Sequence, residues 1–62
     1  MTQKDKTGPR KMMTILVASQ LYASVYPTIE TRDGETVARR VAFENAEAFV
    51  AEAEERYGKM ED

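Results

Sequence analysis

The 62-residue chain contains no cysteine, no histidine and no tryptophan, and it has only three glycines and two prolines. Without cysteine and histidine it has no disulfide, no thiolate or imidazole zinc ligand, and no imidazole general base. A chain this short buries only about 60% of the surface that its unfolded form exposes, so an enclosed substrate cavity is not expected. These absences argue against an enzyme, and we expect no metal site and no cofactor.

Charge is balanced in the middle of the chain and sorted towards its ends. Residues 1–11 carry four basic side chains against one acidic side chain, and residues 44–62 carry seven acidic against two basic. The first eleven residues lack the apolar segment of a signal peptide, and no run approaches the roughly 18–20 apolar residues of a membrane span. We therefore expect a cytoplasmic protein without a membrane segment, with a flexible basic arm at 1–11 and an acidic tail at 59–62.

Three segments before residue 44 favour β-strands. Residues 12–18 form a short apolar and β-branched run typical of a buried strand, although a helical turn fits the same run. Residues 21–31 and 36–43 alternate apolar and polar side chains with the period of a half-buried strand. Pro27 lacks an N–H group, so its strand would lie at the edge of the sheet or carry a bulge at that position.

The segment Arg32-Asp33-Gly34 predicts the turn between the last two strands. A three-residue loop with Gly34 in a left-handed bulge collects the large apolar side chains on one face, which a two-residue turn does not. That face includes Val41 and Phe43, and Ala42 lies on the other face. This register also places Tyr26 directly across from Arg40 on the other face of the hairpin.

Residues 45–57 predict an amphipathic helix. Asn45 is a good N-cap and Gly58 a natural C-terminal stop, and Glu52 can pair with Arg56 one turn later. The stripe expected to face the core consists of Ala46, Phe49, Val50, Ala53 and Tyr57.

Together these elements predict one α+β domain over residues 12–58. It is a small antiparallel sheet of two or three strands, covered by one C-terminal amphipathic helix. One helix on so small a sheet is marginally stable, which makes a homodimer formed through residues 12–18 plausible.

The segment from Leu21 to Gly58, LYASVYPTIETRDGETVARRVAFENAEAFVAEAEERYG, combines a hairpin with an Asn-capped amphipathic helix that carries aromatic anchors. This layout resembles that of very small phage-encoded inhibitors, among them anti-CRISPR proteins and phage inhibitors of host RNA polymerase. The resemblance implies a protein that binds a larger host enzyme and blocks one of its surfaces, often through acidic or aromatic side chains. It assigns no role to any individual residue.

Two surfaces are candidates for binding a partner. The acidic flank of the helix suits a basic surface on a larger protein, and its residues are Glu47, Glu54 and Glu55. The outer sheet face is either a platform for stacking single-stranded bases or an ordinary cross-strand cation–π pair, and its residues are Tyr22, Tyr26 and Arg40. Our leading hypothesis is a non-enzymatic protein-binding module, in its narrower form a phage inhibitor of a larger bacterial enzyme or nucleoprotein complex. The alternative is a small dimer that binds single-stranded nucleic acid.

Overall fold

The computed structural model describes residues 8–61 and shows a hairpin of two α-helices. Helix α1 spans Pro9–Val25, a 3₁₀ turn follows at Tyr26–Thr28, and helix α2 spans Arg32–Tyr57. No residue in the described range is in a strand, so the α+β prediction is wrong, and so are its strands at 12–18, 21–31 and 36–43. The predicted helix at 45–57 is confirmed as the C-terminal half of α2.

Prolines mark both ends of α1. Pro9 occupies the first helical position, where its missing N–H is not needed. The helix ends two residues before Pro27, which removes a backbone donor and disfavours helical angles in the residue before it. The boundary expected after residue 11 therefore falls inside α1. The rest of the expected arm, residues 1–7, and Asp62 of the expected tail lie outside the described residues.

Helix α2 begins after Thr31, and the predicted N-cap Asn45 lies in its middle. Thr31 has extended backbone angles, and its hydroxyl accepts a hydrogen bond from the N–H of Gly34 at 2.9 Å. This is the usual way in which a threonine caps a helix N-terminus. The segment 32–34, predicted as a hairpin turn, is instead the first turn of α2, and the predicted left-handed conformation of Gly34 is wrong.

The two helices meet along a seam of small side chains. Ala18 of α1 and Ala42 and Ala46 of α2 form a buried cluster, and Val50 is buried as well. Small side chains let two helix axes approach closely. These four are the only buried residues among 8–61, and the hairpin is a flat layer with extents of 37 × 35 × 14 Å.

The sequence of α2 favours a helix for reasons that outweigh the alternation at 36–43. Six of its 26 residues are alanine, which has the highest intrinsic helix propensity, and no glycine or proline follows Gly34 until Gly58. Alanine recurs every four residues at Ala38, Ala42 and Ala46. Residues four apart lie on the same face of a helix and also on the same face of a strand, so this spacing does not distinguish the two. Ala42 would lie on the outer face of the predicted sheet, whereas it is 5% exposed in the helical hairpin.

The aromatic side chains expected to anchor the C-terminal helix are not buried. Phe49 is 62% exposed and Tyr57 is 85% exposed, so this part of the predicted core stripe is wrong. Tyr57 lies beyond Glu54, which faces the start of α1, and Phe49 lies about 100° around α2 from the buried Val50. Gly58 is confirmed as the C-terminal stop, with a positive φ of 105° that favours glycine.

Candidate interaction surfaces

The two-helix layer has a groove between its helices on each of its two faces. The larger groove has a volume of about 570 Å³ and is lined mainly by Leu21, Val25, Val37, Ala38, Val41 and Asn45. The smaller groove has a volume of about 200 Å³ and is lined mainly by Ile15, Ser19, Tyr22, Arg39 and Phe43. Val41 and Phe43 are about 200° apart around α2, so the grooves open on opposite sides, which we name the Val41 face and the Phe43 face.

Both faces leave large apolar side chains half-exposed. Val41 is 42% exposed on one face, and Phe43 and Ile15 are 44% and 49% exposed on the other. Large apolar patches on a small protein commonly mark interaction sites. The hairpin therefore offers two surfaces on which a partner would bury apolar area.

Glu54, predicted as a partner contact, instead connects the two ends of the hairpin. Its Oε1 accepts a hydrogen bond from the Nε of Arg10 at 3.0 Å, and its Oε2 accepts one from the N–H of Met60 at 3.0 Å. The backbone N–H of Arg10 also donates to the carbonyl of Glu61 at 2.9 Å. With its side chain only 10% exposed, Glu54 is committed to holding the start of α1 against the segment that follows α2.

These contacts also change the acidity of Glu54. The Met60 N–H lowers the pKa of the Glu54 carboxyl below its ordinary value, and the Arg10 guanidinium lowers it further. Both groups bind the charged carboxylate more strongly than its protonated form. Ionisation of Glu54 therefore strengthens the contacts that its side chain makes between the two ends of the hairpin.

The other predicted acidic contacts, Glu47 and Glu55, do lie on an open surface. Together with Glu44 they occupy an arc of about 80° on the outer side of α2, and we name these three residues the acidic ridge. Among residues 8–61 none of the three forms an ion pair. The predicted pair of Glu52 with Arg56 is confirmed at 2.7 Å, on a different side of the helix.

The structure does not place Arg40 across from Tyr26, because the hairpin of strands that would pair them does not exist. The ring of Tyr26 instead packs on that of Tyr22, one turn earlier, with centroids 5.5 Å apart and planes inclined at 54°. Tyr22 is half-buried and lines the Phe43-face groove. Arg40 is exposed on α2, one turn before the acidic ridge. The sheet platform on which the nucleic-acid hypothesis depended is absent from residues 8–61.

Sequence reasoning missed Ile15, Val41 and Phe43 as surface residues, since it placed Val41 and Phe43 together in one core face. A signal was present in the charge pattern. No charged residue occurs between Lys11 and Glu30, so this segment is apolar or uncharged on every side if it forms a helix. A helix of that kind is normally covered on more than one side.

No protein-family model, curated protein sequence or solved structure matches the chain. Within residues 8–61, neither helix combines the length and the apolar character needed to cross a lipid bilayer. The strand hairpin on which the resemblance to small phage inhibitors rested is absent from the same residues. The function of the chain is therefore inferred from its two exposed faces and its acidic ridge.

Proposed function

We propose that the chain is a non-enzymatic protein-binding module that docks its Phe43 face and its acidic ridge onto an apolar surface with a basic rim on a larger protein. The observation that supports this most directly is the position of the groove beside Glu47, whose carboxylate has no ion-pair partner among residues 8–61. Phe43 is 44% exposed in the groove, and Glu47 lies one turn further along the same side of α2.

The chemistry of the two features fits one kind of partner. Ile15, Tyr22 and Phe43 would surround an apolar side chain inserted between the helices. Glu47 would meet a lysine or arginine side chain beside it, and Glu55 would meet one further along the partner, which speeds association and selects against acidic partners. An amphipathic helix with a basic flank has this combination and commonly binds in grooves of this type.

The lack of cysteine and histidine supports binding over catalysis. In its narrower form the proposal is an inhibitor that covers a surface of a larger bacterial enzyme or nucleoprotein complex in the cytoplasm. A flat layer only 14 Å thick suits that task, because it exposes a large face for its mass of 7.0 kDa. A phage origin stays a prediction.

The test compares capture by matched variants. The immobilised wild-type chain, a Glu47→Lys/Glu55→Lys double variant, a Phe43→Ser variant and a Glu30→Lys control are each incubated with bacterial lysate, and the bound proteins are quantified by mass spectrometry. Glu30 is an exposed carboxylate in the connection between the helices, outside the acidic ridge. A genuine partner is retained by the wild type and the control and lost by the other two.

The purified partner is then titrated at low and at physiological ionic strength. Binding to the wild type should weaken with salt, because the carboxylates of the ridge attract basic side chains through water. The double variant should bind weakly at both salt concentrations. Equal capture by all four proteins, or a salt dependence that the double variant retains, would contradict the proposal.

A further inference from the structure

Helix α2 carries a second seam beside the one that meets α1. The seam towards α1 consists of the buried residues Ala42, Ala46 and Val50, which recur every four residues. A second series, spaced alternately by four and three residues, consists of Gly34, Ala38, Val41, Asn45, Ala48 and Glu52. It lies about 120° around the helix from the first seam, on the Val41 face. A seam with this heptad spacing is typical of a surface that packs against a neighbouring helix, and α1 occupies the other seam.

Helix α1 extends the same face without charge. Leu21 and Ser24 line the groove of the Val41 face, and Val17 and Met13 precede Leu21 by one and two turns. The hydroxyl of Ser24 donates to the carbonyl of Leu21 at 2.8 Å, so its hydrogen is already used within the helix. The middle of the resulting face is uncharged, and the charged residues beside it, Asp33 and the Glu52–Arg56 ion pair, lie towards its two ends. Its complement is another helical surface with an uncharged middle.

We infer that the Val41 face docks the Val41 face of a second copy of this chain, in antiparallel orientation, and that the two hairpins form a four-helix homodimer. A twofold dimer requires a surface that complements itself. Three features of the Val41 face suit it to pack against a copy of itself: its uncharged middle, its size, and the opposite charges at its two ends.

The extent of the face suits a dimer of this size. Two helices side by side, each about 10 Å in diameter, give a footprint of about 500 Å² over the roughly 25 Å length of α1. The corrugation of side chains and the extra length of α2 increase this towards the roughly 800 Å² that each partner buries in a standard interface. The face is also the place where apolar area is most needed, because the monomer buries only four residues in the described range.

Charged residues at the two ends of the face select the antiparallel orientation. Asp33 lines the groove near the connection between the helices, and Arg56, which is ion-paired with Glu52 of its own helix, lies beside Phe49 at the opposite end of α2. Asn45 is almost equidistant from them along the helix. A twofold axis near Asn45 therefore brings Asp33 of one copy close to the partner's Arg56, at both ends of the dimer.

Asn45 itself supports this register. At the twofold axis its side-chain amide meets its own counterpart, and each amide has both donors and an acceptor to offer. A single asparagine in an otherwise apolar seam is a known means of fixing register and oligomeric state. Val41 then lies opposite the region of the partner's Phe49, so a branched aliphatic side chain packs against an aromatic ring.

The first test measures mass and dissociation by analytical ultracentrifugation. The wild type should sediment at about 14 kDa, twice the 7.0 kDa of one chain. Val41→Lys should weaken the dimer about 100-fold or more, since two buried lysines lose their hydration in each dimer. Phe43→Lys is the matched control, because Phe43 is 44% exposed against 42% for Val41 but lies on the opposite face. This control should change the dissociation constant of the dimer less than about threefold. A wild type that stays at 7 kDa at millimolar concentration, or an equal effect of both substitutions, overturns the inference.

The second test does not depend on a destabilising charge. The chain contains no cysteine, so Asn45→Cys introduces a single thiol close to the predicted twofold axis. Under mild oxidation it should form a disulfide-linked dimer within minutes, because the two Cα atoms would be near the 4.4–6.8 Å range of disulfides. Glu47→Cys, on the other side of α2, should crosslink at least about tenfold more slowly. Equal crosslinking rates overturn the inference, including in the case where Val41→Lys fails to fold. In this dimer the Phe43 face and Glu47 beside it remain open, so the proposed function can fail without affecting the dimer.

Discussion

Replacement of Ala46 by leucine tests the close approach of the two helices. Ala46 is fully buried in the alanine seam, and it lines neither of the two grooves. A leucine adds three carbon atoms at a place where the facing helix leaves no space, and overpacking of this kind typically costs about 1–3 kcal/mol. We expect a cost towards the upper end of this range, because the backbone of α1 faces Ala46. That backbone can make room for a leucine only if α1 and α2 move apart along their length.

The assay is thermal unfolding followed by circular dichroism, at one fixed protein concentration. For a domain of this size about 1 kcal/mol lowers Tm by 4–8 °C, so Ala46→Leu should lower Tm by about 10–20 °C. Ala51→Leu is the control, because Ala51 is exposed on the same helix and leucine is nearly as good a helix former as alanine. A variant at position 46 that melts with the wild type would show that the helices are not in close contact there, and the packing described above would then be wrong.

Two further substitutions test the ends of the hairpin. Glu54→Gln should lower the free energy of unfolding in urea near pH 6.5, and the difference from the wild type should become smaller towards pH 3. The folded-state pKa of Glu54 lies below its ordinary value of 4.5. The ionised side chain therefore stabilises the fold above pH 4.5, and this contribution disappears as the pH falls through the folded-state pKa. A gap of equal size at both pH values would show that ionisation of Glu54 does not matter. Thr31→Ala should cost about 1 kcal/mol by removing the 2.9 Å hydrogen bond to the N–H of Gly34, and Thr31→Ser should restore most of the loss in the same urea titration. If alanine and serine behave alike, Thr31 does not cap α2.

The C-terminal half of α2 could be predicted from the sequence because its signals are local. Alanines and glutamates with high helix propensity follow one another without interruption, Gly58 stops the helix, and Glu52 pairs with Arg56 within one turn. Each of these effects acts over no more than four residues. They operate in the same way whatever the rest of the chain does.

The first half of the chain was predicted wrongly because its pattern fits two structures. Leu21, Val25 and Ile29 are spaced by four residues, which puts them on one face of a helix and also on one side of a strand. Their environment is decided by what they pack against. In the structure Leu21 and Val25 belong to the wall of a groove beside α2, and Ile29 lies in the connection between the helices.

The roles of individual site residues depended on the tertiary structure for a related reason. Glu47 and Glu54 are seven residues apart, so the sequence places them on nearly the same side of a helix and makes them look equivalent. Only the arrival of Arg10 and Met60 from distant parts of the chain distinguishes them, and it commits Glu54 to the fold while Glu47 stays open. Composition determined that the chain has no thiol or imidazole chemistry, because that depends on residue type alone. Which apolar faces stay uncovered was decided by the tertiary structure, because it depends on how two helices of unequal length lie against each other.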